Sequence, residues 1–302
     1  MQNREKKMKI ATLDIGGTSI KAGEFQEGKL AQVKEYDTDA KLGGDHVIKK
    51  AIEILEGFPE IDRIGISTAG QVDSKAGKIR YANSNIPGYT GMEIKKILEE
   101  KFKVPVAVEN DVNAAAIGEA VFGAGRDISH FLCLTYGTGV GGAIVIDRQI
   151  YTGHRFCAGE FGAMVVHASD RNPKEDIFSG CYERYASTTA LVKKALQVDE
   201  TLKNGRIIFS RLEEEKVKKI VEEWILEIIY GLTTLIHIFN PTCVVLGGGI
   251  MGQTYVIKRI QELLYDNIMP SFHEVMIKQA ELGNTAGLLG AAQCALEIGD
   301  EK

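Results

Sequence analysis

The sequence predicts an α/β protein built from two similar halves that face each other across a cleft. Strand and helix patterns alternate along much of the chain, and its 302 residues, 44% hydrophobic and 25% charged, suffice for two cores. A series of strand, Gly-rich turn, strand, turn, strand occurs twice, with Gly16 in the first copy answering Gly137 in the second. Such self-similarity marks an internal duplication.

Residues 9–14 form an apolar strand that runs into Asp14-Ile-Gly-Gly-Thr18. Residues 19–25 return antiparallel, Glu27-Gly28 turns, and 29–36 complete the first meander. Val47, Ile48, Ala51, Ile52 and Leu55 recur at helical spacing, so 44–55 is a helix, and 63–67 is a short apolar strand. Two polar stretches, Ser67-Thr-Ala-Gly-Gln-Val-Asp73 and Asn83-Ser-Asn-Ile-Pro-Gly-Tyr89, read as loops, with residues that suit a site and a plain turn equally well. A helix over 92–101 leads to a strand over 104–108. A helix over 111–122, stopped by Gly123, follows and is expected to cross from one half to the other.

Asn110 and Asp111 therefore fall at a strand-to-helix junction. Asp111 there is either a plain N-cap or a proton acceptor kept ionised by the positive end of the helix. The Gly-Thr turns before and after it in sequence favour the acceptor.

The second meander runs through 131–135, the turn Gly137-Thr-Gly-Val-Gly-Gly142, 143–146 and a turn at Asp147-Arg-Gln149. Residues 151–187 read as irregular and the remainder as mainly helical. The helix over 213–239 buries Trp224, Ile228, Leu232, Leu235 and Ile236 and presents a charged, solvated face. A buried strand over 243–246 precedes Gly247-Gly-Gly-Ile-Met-Gly252 and a further helix. Ala286-Gly-Leu-Leu-Gly-Ala-Ala292 begins a helix small enough for close packing.

Glycine lets an anion approach backbone N–H groups, and Thr18 and Thr138 add a hydroxyl to each turn, so both turns suit phosphate. Neither has the Walker pattern or leads straight into a helix, which excludes a P-loop. The run at Gly247 is a lone glycine fingerprint and weak by itself. A net charge of −5 without a basic cluster excludes nucleic-acid binding as the main task. No apolar run is long enough for a membrane and the N-terminus is too polar for a secretory signal, so a cytoplasmic location is expected. Cys133, Cys157, Cys181, Cys243 and Cys294, odd in number and widely spaced, suit reduced thiols.

Together with Glu109-Asn-Asp-Val-Asn113, Ala158-Gly-Glu-Phe-Gly162, Leu246-Gly-Gly-Gly-Ile250 and Leu288-Leu-Gly-Ala-Ala292, the two turns resemble the motifs of the ROK family of sugar kinases, within the actin-like ATPase superfamily. The resemblance covers nearly the whole chain. It implies two duplicated actin-like (ribonuclease H-like) domains around the cleft, residues 1–118 with 286–302 and residues 119–285. It further implies that Asp14, Ile15, Gly16, Gly17, Thr18 and Lys21, with Gly137, Thr138, Gly139 and Gly141, clasp the phosphates of ATP. Mg²⁺ would be held through water by Asp14, and Gly247, Gly248 and Gly249 would lie by the adenosine. Asp111 is the implied base that takes the proton of the sugar hydroxyl, while Gly70, Asn85, Asn110, Glu160 and Glu183 are implied to hold the sugar. A homodimer is expected, without nucleic-acid or membrane partners.

The sequence departs from the family's zinc site. Ala163 stands where that site takes a His, and Lys174 and Asp176 stand where it takes cysteines. One remaining ligand, Cys181, makes no structural zinc site. Without the metal, the 168–179 loop is expected to be free to line a wider pocket. This zinc-free pattern is most similar to the β-glucoside kinases, which implies phosphorylation of cellobiose or an aryl β-glucoside on its 6-hydroxyl. Glucokinase and N-acetylmannosamine kinase are the alternatives. A sugar-sensing transcriptional regulator is a further one, against which only thirteen residues precede Asp14, too few for a DNA-reading domain. A chaperone-like or filament-forming ATPase is the last, and the sugar-type loops speak against it.

Overall fold

The computed structural model describes residues 7–299. The chain divides into two compact units. One takes residues up to Arg126, Thr152–Ala158 and the chain from Asn284 on; the other takes Asp127–Tyr151 and Gly159–Gly283.

In the first unit, β1 (Ile10–Ile15), β2 (Ser19–Gln26) and β3 (Lys29–Asp37) form the expected meander, followed by α1 (Gly44–Leu55) and β4 (Arg63–Thr68). The first of the two expected loops ends in a short strand, β5 (Gln71–Asp73), which pairs with β6 (Lys78–Tyr81) in a small hairpin because Val72 and Ile79 are apolar and buried, while 83–89 is a loop as expected. Then come α2 (Ile94–Phe102), β7 (Val106–Asn110) and α3 (Asp111–Phe122). The main sheet runs β3-β2-β1-β4-β7, antiparallel through the meander and parallel from β1 to β7. Helix α3 does not cross into the second unit. The boundary drawn at 118/119 from sequence falls inside it, and all of α3 belongs with the first unit.

In the second unit, β8 (Phe131–Tyr136), β9 (Val140–Ile146) and β10 (Gln149–Ile150) form the shorter meander. The 151–187 stretch closes with α4 (Glu183–Ala186), and α5 (Thr188–Leu196), α6 (Gly205–Ser210) and α7 (Glu215–Phe239) follow. β11 (Cys243–Gly247), α8 (Thr254–Leu264) and β12 (Met276–Gln279) complete it. The sheet order β10-β9-β8-β11-β12 repeats the first sheet position by position, with the same antiparallel and parallel pairs. β12, in a region expected to be helical, supplies the strand that answers β7.

The chain returns to the first unit as α9 (Ala286–Leu296), whose small residues bring backbones almost into contact. A Cβ at Gly290 would stand 1.7 Å from the Ala114 carbonyl oxygen of α3, one at Gly118 2.5 Å from that of Ala286, and one at Gly65 of β4 2.2 Å from that of Ala291. Helix α9 thus fixes where α3 begins relative to the sheet.

Candidate active site

In the first unit the site residues gather at the C-terminal ends of β1, β4 and β7. That is where parallel strands of an open α/β sheet present their loops. The register sets Asp14 beside Ser67, Ser67 beside Glu109, and Thr68 beside Asn110. Asp14 is partly buried; its Oδ1 accepts from the Ser67 hydroxyl at 2.7 Å, and Lys21 Nζ lies 4.0 Å from Oδ2. Burial raises the Asp14 carboxyl above the usual carboxylate range, against the lowering effects of Ser67 and Lys21.

At the junction, Asn110 and not Asp111 is the N-cap of α3. Its Oδ1 accepts from Val112 N and Asn113 N at 3.0 and 3.1 Å. Its Nδ2 donates to Gly70 O and to Asp111 Oδ1, both at 2.9 Å. Both lone pairs and both amide hydrogens are thereby engaged, so a sugar hydroxyl on Asn110 would have to share one of these bonds. Asp111 is the first helical residue, and Val112 N also donates to its Oδ1, at 2.9 Å. Its pKa is pushed up to about 7, first by burial and then by the charge of Asp14. A carboxylate poised there is matched to proton transfer at neutral pH.

The first Gly-Thr hairpin is held from below. Thr38 N donates to Thr18 O at 2.9 Å and Thr38 Oγ1 to Gly16 O at 2.8 Å, while Gly17 and Thr18 are exposed at the tip. Ile15, expected at the phosphates, is fully buried in the core, so its side chain packs under the hairpin. Asn85 sits on an exposed loop, its N–H bonded to Asn83 Oδ1 at 3.0 Å. That loop is anchored by buried Tyr89, whose hydroxyl lies 2.8 Å from Thr68 Oγ1 at the end of β4. In the sequence Tyr89 reads only as a turn residue; a large aromatic closing an Asn-Pro-Gly loop is the signal that could have marked it.

In the second unit, Gly137 and Thr138 are exposed at the corresponding hairpin tip, and the Gly137 carbonyl accepts from Thr188 N at 3.0 Å. They open into a pocket of about 1120 Å³ whose apolar wall includes Val192, Leu196, Phe209 and Ile250. Gly249 also lines it, whereas Gly247 is buried in β11. Gly248, at φ +96°, lies so close to β8 that a Cβ would stand 2.3 Å from Tyr136 O. The α5 and α6 walls are not legible in the sequence, since their apolar residues acquire meaning only where these short helices meet the hairpin.

Glu183 is placed with this hairpin and with the 158–163 segment. Its carboxyl accepts from Val140 N–H, and a Cβ at Gly139 or at Gly162 would stand 2.7 or 3.2 Å from its Oε2. Glu160 and Ala163 are exposed on the same segment, and burial raises the Glu183 carboxyl above its usual range. The 168–179 loop is not free. Arg171 Nη1 donates to Ile177 O and Ser179 O at 2.6 and 2.9 Å, and Asp176 accepts twice from Arg184 at 2.9 and 3.1 Å. Among the described residues, no three His, Cys, Asp or Glu side chains are grouped to hold a metal, and no helix is long and apolar enough to cross a membrane.

The ROK family model matches residues 10–298. This chain belongs to the ROK family. It is 32% identical to the β-glucoside kinase of Listeria monocytogenes over 94% of this chain and 96% of that one. It is 30% identical to the glucokinase of Thermotoga maritima over 96% and 98% of the respective chains. A ROK glucokinase from Streptomyces griseus, solved with glucose and AMPPNP, superposes with a TM-score of 0.83 at 28% identity, covering 97% of this chain and all of its own. The chain has the α/β fold of this family, consistent with the actin-like ATPase superfamily, and is an ATP-dependent carbohydrate kinase.

Proposed function

We propose that this ROK kinase transfers the γ-phosphoryl group of ATP to the 6-hydroxyl of the non-reducing glucose of a β-glucoside such as cellobiose. Ala163 carries the choice. Exposed, with its N–H on the Glu160 carbonyl and next in sequence to Gly162, whose would-be Cβ meets Glu183, it carries only a methyl group, and it offers nothing to a free anomeric hydroxyl. A free sugar would bury that hydroxyl without a partner, while a substituted one sets its second ring in the space. The relatives named β-glucoside kinase, at 31–34% identity, agree with this reading.

In the first unit, Asp111 takes the proton of the 6-hydroxyl as it attacks. Asn110 and Val112 fix one carboxylate oxygen and leave the other to accept. Gly70, whose carbonyl accepts from Asn110, and Asn85 are the first unit's further groups for sugar hydroxyls; Glu160 and Glu183 are those of the second unit. Gly17, Thr18 and Lys21 present N–H, hydroxyl and ammonium groups to phosphate, while Gly16, whose own N–H is taken by Ser19 O, lets the anion come close; in the second unit Thr138, Gly139 and Gly141 present theirs beside the pocket that takes the adenosine. The carboxyl of Asp14, hydrogen-bonded through one oxygen only by Ser67, suits a water of hydrated Mg²⁺. When bound, that ion neutralises charge on the transferred phosphoryl group.

The test is kcat/KM for cellobiose against glucose. The expected result is a preference for cellobiose of about tenfold or more, as befits a hydroxyl left unpaired in one substrate and a second ring packed against the protein in the other. A preference for glucose overturns the proposal, and so does an Ala163→His variant that uses cellobiose as well as the parent. Purified protein is also expected to carry well below one zinc per chain, as checked by metal analysis; stoichiometric zinc that survives a chelator wash would show that other residues bind it.

A further inference from the structure

Glu109 is a carboxylate only 7% exposed, near the end of β7 and two residues before the base. Removing such a group from water is costly unless donors surround it. Its Oε1 accepts from Asn110 N at 2.8 Å and from Asn113 Nδ2 at 3.0 Å, and the Ser74 hydroxyl, just after β5, also bonds it. Those donors come from the β7–α3 turn, the first turn of α3 and the β5–β6 turn. Asn113, itself 6% exposed, donates its backbone N–H to Asn110 Oδ1 and its side chain to Glu109, so it clasps the turn from both sides. Asn110, held in this way by its backbone N–H, aims its Nδ2 at Asp111 Oδ1.

The bonds therefore form one chain, from Glu109 through the Asn110 backbone and the Asn110 amide to the Asp111 carboxylate. A carboxylate is the one side chain there with enough lone pairs to accept from all three donors while adding no donor of its own to be satisfied. An apolar residue would leave the Asn113 amide and the Asn110 N–H buried without acceptors.

We propose that Glu109 is a positioning residue: by holding Asn110 and Asn113 it fixes the rotamer and location of Asp111. The proposal rests on reading Asp111 as the base. Its energetic logic is that of a near-attack geometry, in which a displacement of about 1 Å at the reacting group can cost on the order of 100-fold in rate. Glu109 itself touches no substrate.

The experiment compares the parent, Glu109→Ala, Glu109→Gln, Asp111→Asn and the double variant Glu109→Ala/Asp111→Asn. All are assayed with Mg²⁺-ATP and with cellobiose and glucose, and folding is checked by circular dichroism and melting. Glu109→Ala is expected to lower kcat about tenfold or more, with KM for ATP within about twofold, because only the base is displaced. Glu109→Gln, whose oxygen still accepts from Asn110 N–H and the Asn113 amide although its own amide meets the Ser74 hydroxyl as a donor, should lose less than Glu109→Ala, and an equal or larger loss would overturn the proposal. In the Asp111→Asn background the Glu109→Ala change should cost less than about twofold, since no base remains to be misplaced. A residue that merely supports the fold would give the same loss in both backgrounds.

A folded Glu109→Ala protein with parental kcat overturns the proposal, and so does a loss that persists undiminished beside Asp111→Asn. If Glu109→Ala fails to fold, Asn113→Ala decides, because it cuts the same clasp while leaving the carboxylate. A drop in kcat of about fivefold or more supports the proposal and parental turnover overturns it. Failure of the underlying reading is separate, since it shows as near-normal turnover of Asp111→Asn alone.

Discussion

Asp111→Asn lowers kcat by roughly 10²- to 10⁴-fold, the range lost with a positioned general base, while the protein still folds and binds nucleotide. The amide keeps an oxygen for Val112 N, so the helix start survives the change. The parent's pH dependence belongs to the same group. With its pKa raised to about 7, first by burial and then by Asp14, the carboxyl is protonated and inactive at acid pH. kcat/KM should rise about tenfold per pH unit up to that value and level off above it, as for one ionisation. In Asp111→Asn this limb should vanish from the residual activity. A variant with near-normal turnover and an unchanged acid limb would return Asp111 to a purely structural part.

Stability should move the opposite way. A carboxyl whose folded pKa lies above its unfolded value binds protons more tightly in the fold, so its ionised form is a cost. That cost is fully present above about pH 7, shrinks as pH falls toward the ordinary aspartate value of 3.8, and is gone below it. A rise from 3.8 to about 7 corresponds to roughly 2–4 kcal/mol after allowance for coupling to Asp14. Asp111→Asn should therefore melt higher than the parent at pH 8, with the gap closing toward pH 4. A stability sacrificed at the reacting group is the expected companion of a tuned base.

Much of this arrangement is legible in the sequence. The bounds of α1 and α3 follow from an amphipathic period in one case and from Asn110 and Gly123 in the other. The duplication shows because each hairpin must carry a Gly-Thr tip, a local requirement written in adjacent residues. What stays hidden depends on partners distant in sequence. Met276–Gln279 alternates over too few residues to announce a strand until β11 lies beside it. Val192 and Phe209 become a pocket wall only when α5 and α6 meet Gly249. Which of Asn110 and Asp111 caps α3 is not legible, because Asp and Asn are equally good caps and Val112 N donates to both; only the bond from Asn113 N separates them. The motif around Ile15 draws that residue into the phosphate site, although its side chain is fully buried at the end of a strand covered on both faces.

Gly290→Ala destabilises the first unit by about 3 kcal/mol or more, an overpacking cost that backbone on both sides cannot relieve. Most glycines could take a methyl by shifting a flexible side chain, but here the new Cβ would stand 1.7 Å from the Ala114 carbonyl oxygen and 2.5 Å from its carbon. Helix α3 or α9 has to move. α9 is held against β4, where Gly65 already meets Ala291, and against β1, where Gly287 lies 2.9 Å, by a would-be Cβ, from Asp14 Oδ1. Either displacement shifts the start of α3 or the carboxyl of Asp14, so catalysis should suffer with stability. Thermal melting should show a fall of roughly 6–12 °C, from the usual 2–4 °C per kcal/mol for a unit of this size. The folded fraction at about 20 °C, well below the usual melting range, should have reduced kcat. Gly252→Ala is the control: nothing lies within 4 Å of its would-be Cβ, and melting should change by less than about 2 °C. Parental melting and turnover in Gly290→Ala would mean that α3 and α9 are not in contact through their backbones, and the seat of Asp111 would then have to be sought in the β7–α3 turn alone.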